Sequence, residues 1–191
     1  MFNRLNLFYL SGRFALCAPL LALCFLLFAP SATGQQSGRL NFFDQATVYS
    51  ICEDQKGALW FSTFYNGIVV FDGKSIFNLS EEGGLNSDMV QSLLIDNSDN
   101  IWIGLFDAGV SFLSGWNYYK PKFTHFTNKE GLSSNEIYTI FQDKKGNLWF
   151  GCIGGGVTFL DKISKKFIQI TEDRGLNNNF VQAKIGRASC R

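Results

Sequence analysis

Residues 132–160 read LSSNEIYTIFQDKKGNLWFGCIGGGVTFL, and the same pattern occurs twice upstream. Residues 85–113 read LNSDMVQSLLIDNSDNIWIGLFDAGVSFL, and residues 48–71 read VYSICEDQKGALWFSTFYNGIVVF. In each copy an apolar residue is followed six places later by Asp, six places after that by Trp, and seven places after that by Gly. These positions are Val48, Asp54, Trp60 and Gly67; Val90, Asp96, Trp102 and Gly109; and Ile137, Asp143, Trp149 and Gly156. Agreement at so many offsets indicates a repeat protein.

The repeat has a period of about 42 to 47 residues, which is typical of four-stranded propeller blades. A Gly-Leu pair precedes each new copy, and Gly175-Leu176 marks a further start at Val181. We therefore predict an all-β fold, a β-propeller fragment of four-stranded antiparallel blades with three blades and the start of a fourth. Three blades cannot close a ring, so we expect exposed edges and poor solubility or strand swapping of the isolated repeats.

Within one copy, strands and turns can be assigned from residue type. In the third copy the predicted strands are Ile137–Gln142, Leu148–Ile153, Val157–Leu160 and Lys166–Ile170. The connections are rich in Gly, Asn and Lys, and the pair Gly155-Gly156 tolerates the positive φ angles of a tight hairpin. Such units cannot bury both faces alone and must stack on their neighbours.

The recurring residues are interpreted as structural. A Trp at one fixed offset fills the space between neighbouring sheets, and an Asp at the end of a strand accepts N–H bonds from the following turn. Cys52 occupies the position of Leu94 and Phe141 in the other copies, which indicates a buried apolar thiol. Cys52 and Cys152 lie at non-equivalent positions, so we expect no disulfide between them.

The two ends of the chain differ from the repeats. Arg4 and Arg13 precede an apolar run over residues 14–29 and small residues up to Gly34, which describes a secretory signal peptide. The alternative is an uncleaved membrane anchor, although the run is short for a span. Residues 184–191 read KIGRASCR, which resembles a translated sequencing-adapter sequence and breaks the repeat. We expect this tail to be an artefact and the native protein to continue.

The predicted organisation is a signal peptide at 1–34, a lead-in strand or linker at 35–47, blade 1 at 48–85, blade 2 at 86–132, blade 3 at 133–176, the start of blade 4 at 177–183, and the adapter-derived tail at 184–191. The two end segments contribute basic residues but no acidic ones, so the repeats themselves are weakly acidic. That balance argues against nucleic acid as a partner, because phosphate binding needs a concentration of Lys and Arg.

The run DKKGNLWFG at residues 143–151, followed by Gly155-Gly156-Val157 and Gly175-Leu176, resembles the two-component regulator propeller repeat. The resemblance covers about residues 48–183, with Asp99 and Ser62 in place of the glycines found at the equivalent positions of other copies. It implies a periplasmic sensor region of a hybrid two-component sensor histidine kinase, in which propellers are followed by a β-sandwich, one membrane helix and the kinase. It also implies anchoring in the inner membrane and a homodimer in the full-length protein.

One loop departs from the repeat. Between Ser114 and Phe123 the second copy carries GWNYYKPK, which is longer than the loops of the other copies. Its aromatic and basic residues suit a polar, ring-shaped ligand, and loops on rigid scaffolds often carry binding sites. The candidate ligand-binding residues are Trp116, Tyr118, Tyr119 and Lys120. A longer outer loop, or a contact with another domain or subunit, is the alternative.

No catalytic or metal site is predicted. His125 is the single histidine of the chain, so neither a Ser-His-Asp set nor a His-based metal cluster can be assembled. Gly73-Lys74-Ser75 lacks the upstream Gly of a phosphate-binding loop. Asp96, Ser98 and Asn100 resemble the start of a calcium loop, but Ile101 stands where that loop needs Gly. We expect no cofactor.

The expected function is extracytoplasmic sensing of a small molecule or oligosaccharide, coupled to a kinase outside this stretch of chain. The expected partners are that ligand, the remaining blades and the C-terminal domains. Two other functions are left open by the residues, namely a secreted propeller enzyme of the lyase type and a scaffold or adhesion protein. Fold alone does not choose between them.

Overall fold

The computed structural model describes residues 46–114 and 120–182. The predicted signal peptide, residues 35–45 of the lead-in segment and the adapter-like tail lie outside this range, as do Trp116, Tyr118 and Tyr119 of the candidate loop. The division of the chain at the predicted boundaries stays a prediction. No helix long and apolar enough to cross a membrane occurs in the described ranges.

Twelve strands in the described residues form three separate antiparallel sheets of four strands each. The first contains β1 (Thr47–Glu53), β2 (Leu59–Phe64), β3 (Ile68–Phe71) and β4 (Ile76–Leu79); the second β5 (Val90–Ile95), β6 (Ile101–Leu105), β7 (Val110–Leu113) and β8 (Phe123–Phe126); the third β9 (Ile137–Gln142), β10 (Leu148–Cys152), β11 (Gly156–Leu160) and β12 (Phe167–Ile170). Strands are adjacent in chain order within each sheet. The predicted all-β fold of four-stranded blades is confirmed, and the strands of the third sheet begin and end within one residue of prediction.

Consecutive strands run in opposite directions, so the turns of the three sheets lie at two opposite ends of the strands. We call these two ends edges. One edge, which we call the Asp–Trp edge, carries the turns after β1, β5 and β9 (residues 54–58, 96–100 and 143–147) and the connections after β3, β7 and β11. The other, the glycine edge, carries the hairpins after β2, β6 and β10 and the loops between sheets. The N–H of Gly67 donates to the carbonyl of Asp88 at 3.0 Å, so hairpin and intersheet loop meet at the glycine edge.

The hairpin glycines are fixed by the backbone opposite them. Gly67, Gly109 and Gly156 have φ angles of 65°, 80° and 70°, in the left-handed region. A Cβ at Gly109 would collide with the carbonyl oxygen of Phe126 at the end of β8. The recurring Gly is therefore required for two reasons, its φ angle and the close approach of the outer strand.

Two apolar cores lie between the three sheets. The first joins sheets one and two and contains Trp60, which is fully buried. The second joins sheets two and three and contains Trp102 and Phe150. The predicted packing of the repeat Trp between sheets is thus confirmed for Trp60 and Trp102. Trp149, on the third sheet, remains half-buried.

Apolar side chains are also exposed on the two outermost sheets. On β1 of the first sheet, Tyr49 and Ile51 are 47% and 44% exposed. On the third sheet and the segment after it, Ile168 and Phe180 are 43% and 49% exposed. In the second blade, which has a neighbour on each side, the equivalent of Ile51 is Leu93, and it is buried. These two surfaces are those on which a further blade would pack.

The first prediction concerns association. We expect purified residues 35–183 to associate or aggregate, because each outer face exposes apolar surface. Replacing Ile51→Lys and Ile168→Lys should shift the sample toward monomer in size-exclusion chromatography with light scattering. A monodisperse, cooperatively melting sample of the unsubstituted segment would contradict this expectation.

The second prediction concerns the hairpin glycines. Gly109→Ala should lower the free energy of unfolding by about 2 to 4 kcal/mol, because it adds a backbone collision to an unfavourable φ. The matched control is Gly73→Ala, where φ is 91° and nothing lies within 4 Å of the added Cβ. In that control the free energy of unfolding should fall by only about 1 kcal/mol, because the strained φ angle is the only unfavourable change. Equal losses in chemical denaturation, measured in the same multi-blade protein, would show that the close approach is unimportant.

Candidate functional site

The Asp–Trp turns are the most regular polar feature of the described chain. Oδ1 of Asp54 accepts the backbone N–H groups of Lys56 and Ala58 at 2.8 and 3.1 Å, while Oδ2 accepts the indole Nε1–H of Trp60 at 2.7 Å. The same indole bond occurs between Trp102 and Asp96 at 3.0 Å and between Trp149 and Asp143 at 3.1 Å. The predicted turn role of the aspartates is confirmed, but their bond to the Trp was not anticipated.

Hydrogen bonds keep the pKa of the third of these carboxylates, Asp143, low. Burial raises the pKa of Asp143, but hydrogen bonds from the Asn147 side chain, the Trp149 indole and the turn N–H groups outweigh it and hold that pKa below its usual value. The aspartate is therefore ionised at neutral pH with its oxygens already occupied. A carboxyl group that acts as a general acid needs a raised pKa, so that it is still protonated near neutral pH. The low pKa of Asp143 therefore indicates a structural role.

The predicted binding loop connects β7 to β8 on the Asp–Trp edge of the second sheet. Of its candidate residues, Lys120 is described and is exposed, whereas Trp116, Tyr118 and Tyr119 lie outside the described residues. Their role in ligand binding stays a prediction. The strands that flank it, β7 and β8, are the last two strands of the second sheet.

On this edge a cleft of about 270 Å³ opens between the second and third sheets. Its apolar lining is Trp102, Phe112, Phe126, Leu148, Leu160 and Phe167, and its polar lining includes Asp96, Ser98, Asn100, Gln142, Lys162 and Lys165. The rings of Trp102 and Phe126 are stacked with centroids 6.0 Å apart, and Phe126 meets Phe167 edge-on at 5.5 Å. An apolar concavity with a few polar groups at its rim is the usual form of a small-molecule site.

The cleft is bridged at its polar rim. The N–H of Asn97, in the turn of the second sheet, donates to Oε1 of Gln142 in the third sheet at 3.0 Å. The N–H of Lys162 donates to Oδ1 of Asn147 at 3.1 Å, which ties the β11–β12 connection to the neighbouring turn. The cleft walls are therefore held by hydrogen bonds in addition to the apolar contacts between the sheets.

The glycine edge carries a separate aromatic group. The ring of Phe64 meets Tyr49 at 5.6 Å, Tyr65 at 4.5 Å and Phe106 of the next blade at 5.6 Å. Tyr65 is 69% exposed and has a φ of 81°, a conformation that costs strain for a bulky residue. In the third blade Gly154 occupies the equivalent position with a φ of 71°. These aromatic rings lie on a surface hairpin rather than in an enclosed site.

The buried nucleophilic and titratable groups do not form a catalytic set. Cys152 and Cys52 are buried thiols that are not joined in a disulfide. Burial raises the pKa of the Cys152 thiol, against hydrogen bonds from Ser133 and Thr158, so it is not a reactive thiolate. His125 shares a 2.9 Å hydrogen bond with Ser111 on the neighbouring strand. No group of three or more His, Cys, Asp or Glu positioned to bind a metal occurs in the described residues.

Sequence reasoning missed the cleft because it depends on contacts between blades. Its lining residues come from both sheets and are spread over residues 96–167. No local motif connects Trp102 with Lys162 or Lys165. The signal that was present is the calcium-like run Asp96, Ser98 and Asn100, which lies at the rim of the cleft as an ordinary capped turn.

A comparison with protein families matches residues 42–65 and 131–154 to the family described as two component regulator propeller. No significant match was found among curated proteins. Among solved structures, the extracellular domain of BT3049 from B. thetaiotaomicron, described as a hybrid two component system, has 25% sequence identity and a TM-score of 0.60. The alignment covers 70% of this chain and 18% of that one.

Two further neighbours extend this result. The extracellular domain of BT4673 from B. thetaiotaomicron, described as a one component system, has 28% identity, a TM-score of 0.53, and coverage of 64% of this chain and 18% of that chain. Virginiamycin B lyase from Staphylococcus aureus has 17% identity, a TM-score of 0.50, and coverage of 65% and 41%, which shows a shared fold alone. The present chain thus spans about a fifth of the extracellular domains that it resembles.

The third prediction concerns the Asp–Trp pair. Asp54→Ala should lower the free energy of unfolding by about 3 kcal/mol, because it leaves a buried indole N–H and two turn N–H groups without their acceptor. The matched control is Asp72→Ala, where the carboxylate accepts two N–H groups of an exposed turn. That loss should be distinctly smaller, since water replaces the lost acceptor. The free energies of unfolding of both variants can be measured by denaturant unfolding. Equal losses in the two variants would contradict the role of the indole bond.

Proposed function

We propose that this chain, which is built from two component regulator propeller repeats, is part of the extracytoplasmic ligand-sensing region of a membrane-bound two-component sensor histidine kinase. The observation that carries the proposal is the combination of the family match with two solved neighbours that are extracellular domains of signalling systems. The apolar run at residues 14–29 behind Arg4 and Arg13 supports export.

The proposed ligand is a small molecule or an oligosaccharide. In the described residues, the cleft between the second and third blades supplies an aromatic wall with polar groups at its rim. The loop with Trp116, Tyr118, Tyr119 and Lys120 connects two strands of the blade that forms one side of this cleft. The strands that flank this loop end at the edge on which the cleft opens, and we propose that loop and cleft together contribute to ligand binding.

The proposed mechanism uses the position of the cleft at an interface between blades. A ligand there contacts both sheets, so it favours whichever interblade arrangement offers it more contacts. In the full-length protein the change would pass through the remaining blades and C-terminal domains to one membrane helix and alter the arrangement of a kinase homodimer. Only a ligand with different affinities for the two arrangements can cause such a shift.

A secreted lyase-like enzyme and a scaffold or adhesion protein are the alternative proposals. The lyase neighbour supports a shared fold only. The described residues offer a buried protonated thiol, one histidine paired with a serine, and aspartates that are occupied as turn acceptors. These groups favour binding over catalysis in this part of the chain.

The fourth prediction tests the sensor assignment. We expect genomic sequencing to show that the reading frame runs past residue 183 through further Asp–Trp repeats to one membrane helix and a histidine kinase core. Membrane vesicles with the full-length protein should then change their rate of kinase autophosphorylation when an oligosaccharide mixture is added on the extracytoplasmic side.

The control is the same preparation without residues 1–34, in which the propeller region should not be exported and the kinase should not respond to oligosaccharide added on the extracytoplasmic side. A genomic stop codon directly after residue 191, or a frame that closes one ring without a kinase, would contradict the sensor proposal. A secreted binding protein or lyase would then be the better assignment.

A further inference from the structure

The cleft between the second and third blades combines an aromatic wall with an excess of positive charge. Its lining contains two lysines, Lys162 and Lys165, but a single carboxylate, that of Asp96. This carboxylate accepts N–H bonds from Ser98 and Asn100, the side-chain amide of Asn100, and the indole of Trp102. Its oxygens are therefore occupied and it is poorly placed to neutralise a lysine.

The connection that carries the lysines is ordered by its own hydrogen bonds. Oδ1 of Asp161 accepts the N–H groups of Ile163 and Ser164 at 3.1 and 2.6 Å, and the N–H of Lys165 donates to the carbonyl of Asp161 at 2.9 Å. The bonds to the carboxylate, led by those from Ser164, hold the pKa of Asp161 below its usual value, with a smaller contribution from the charge of Lys165. One carboxylate thus stands against three lysines in residues 161–166.

The side chain of Lys162 lies across the neighbouring turn. Its Cδ and Nζ atoms lie 2.8 and 3.0 Å from the position that a Cβ would occupy on Gly146. The absence of a side chain at Gly146 therefore leaves room for Lys162 at the rim of the cleft. Within the described residues neither Lys162 nor Lys165 forms an ion pair. The three lysines of residues 161–166 outnumber the one carboxylate of that connection, Asp161, and this excess of positive charge beside an apolar cavity favours an anion.

The first interface between blades offers a useful contrast. There Trp60 is fully buried, and the connection after β3, residues 72–75, carries one lysine, Lys74, beside Asp72. In the second interface Trp102 retains a little exposure, and the connection carries the lysine pair. The lysine pair beside the cleft is thus a feature of the second interface and does not recur at the equivalent connection of the first blade.

We propose that the cleft between the second and third blades binds a small ring-bearing anion, with the ring against the Trp102, Phe126 and Phe167 wall and a carboxylate or sulfate group at Lys162 and Lys165. The volume of about 270 Å³ lies near the lower end of small-molecule sites, which suits one ring with one charged substituent. This inference rests on the proposed sensing function and names the chemical class of its ligand.

The test is calorimetric titration of the purified full-length protein with matched probes. Glucuronate and benzoate each carry a ring and a carboxylate; glucose and benzyl alcohol carry the ring alone, and acetate and inorganic sulfate the charge alone. We expect binding of at least one ring-bearing anion, weakening as salt rises, with little binding of the four incomplete probes. Glucuronate and benzoate distinguish a sugar acid from an aromatic acid.

Two sets of variants locate the site. Lys162→Gln with Lys165→Gln should weaken the affinity by about tenfold or more, because a charge-assisted hydrogen bond is lost. The charge-matched control, Lys74→Gln with Lys129→Gln, changes exposed lysines that do not line the cleft and should leave affinity unchanged. Ser98→Tyr places a large side chain at the exposed lip and should block binding. Melting temperatures close to the unsubstituted protein confirm that each variant is folded.

Three results would overturn the assignment: failure of both ring-bearing anions to bind, equal binding of the neutral rings, or equal effects of the two lysine pairs. The kinase assay separates this inference from the proposed function. Anion binding without any change in autophosphorylation contradicts sensing but retains the site. A ligand response that survives Lys162→Gln with Lys165→Gln contradicts the site but retains sensing.

Discussion

Each blade depends on one carboxylate that binds both a turn and a tryptophan. In the first blade one oxygen of Asp54 accepts two N–H groups of the turn, and the other holds the indole of Trp60. The turn fixes the pairing of the two inner strands, and the indole is held in the space where the next blade packs. Burying a carboxylate is costly unless donors compensate it, and here three N–H groups do so. Local hairpin geometry and blade stacking are thus coupled through a single side chain.

The sequence predicts the parts of this arrangement that repeat. Fixed spacings between Asp, Trp and Gly located the turns and hairpins, because a turn residue with positive φ and a large packing residue must recur in every blade. The indole bond was missed, since a spacing of six shows that Asp143 and Trp149 share a hairpin but not how the ring is oriented. The cleft was missed for a further reason. Lys162 and Trp102 lie on different blades, and only the packing of two sheets brings them together.

The candidate loop is a feature that the sequence shows but does not locate. Its unusual length and its aromatic residues were visible in the sequence, but its position relative to the repeat was not. The strands that flank it, β7 and β8, adjoin at the Asp–Trp edge, where the rim of the cleft also lies. The glycine edge, by contrast, is constrained by hairpins and intersheet loops that bond to one another, as Gly109 does to Asn135 at 2.8 Å. Hydrogen bonds thus join successive blades at both edges, and the cleft opens at the Asp–Trp edge.

Hydrogen exchange of the indole N–H groups, measured by NMR on the ¹⁵N-tryptophan-labelled protein, tests the role of the carboxylate–indole bond most directly. The account predicts strong protection of Trp60, whose indole is fully buried and bonded to Asp54, with lower protection of Trp102. Protection at Trp60 should disappear in Asp54→Ala while the fold persists under native conditions. Exchange at Trp60 as fast as that of free tryptophan in the unsubstituted protein would contradict the account.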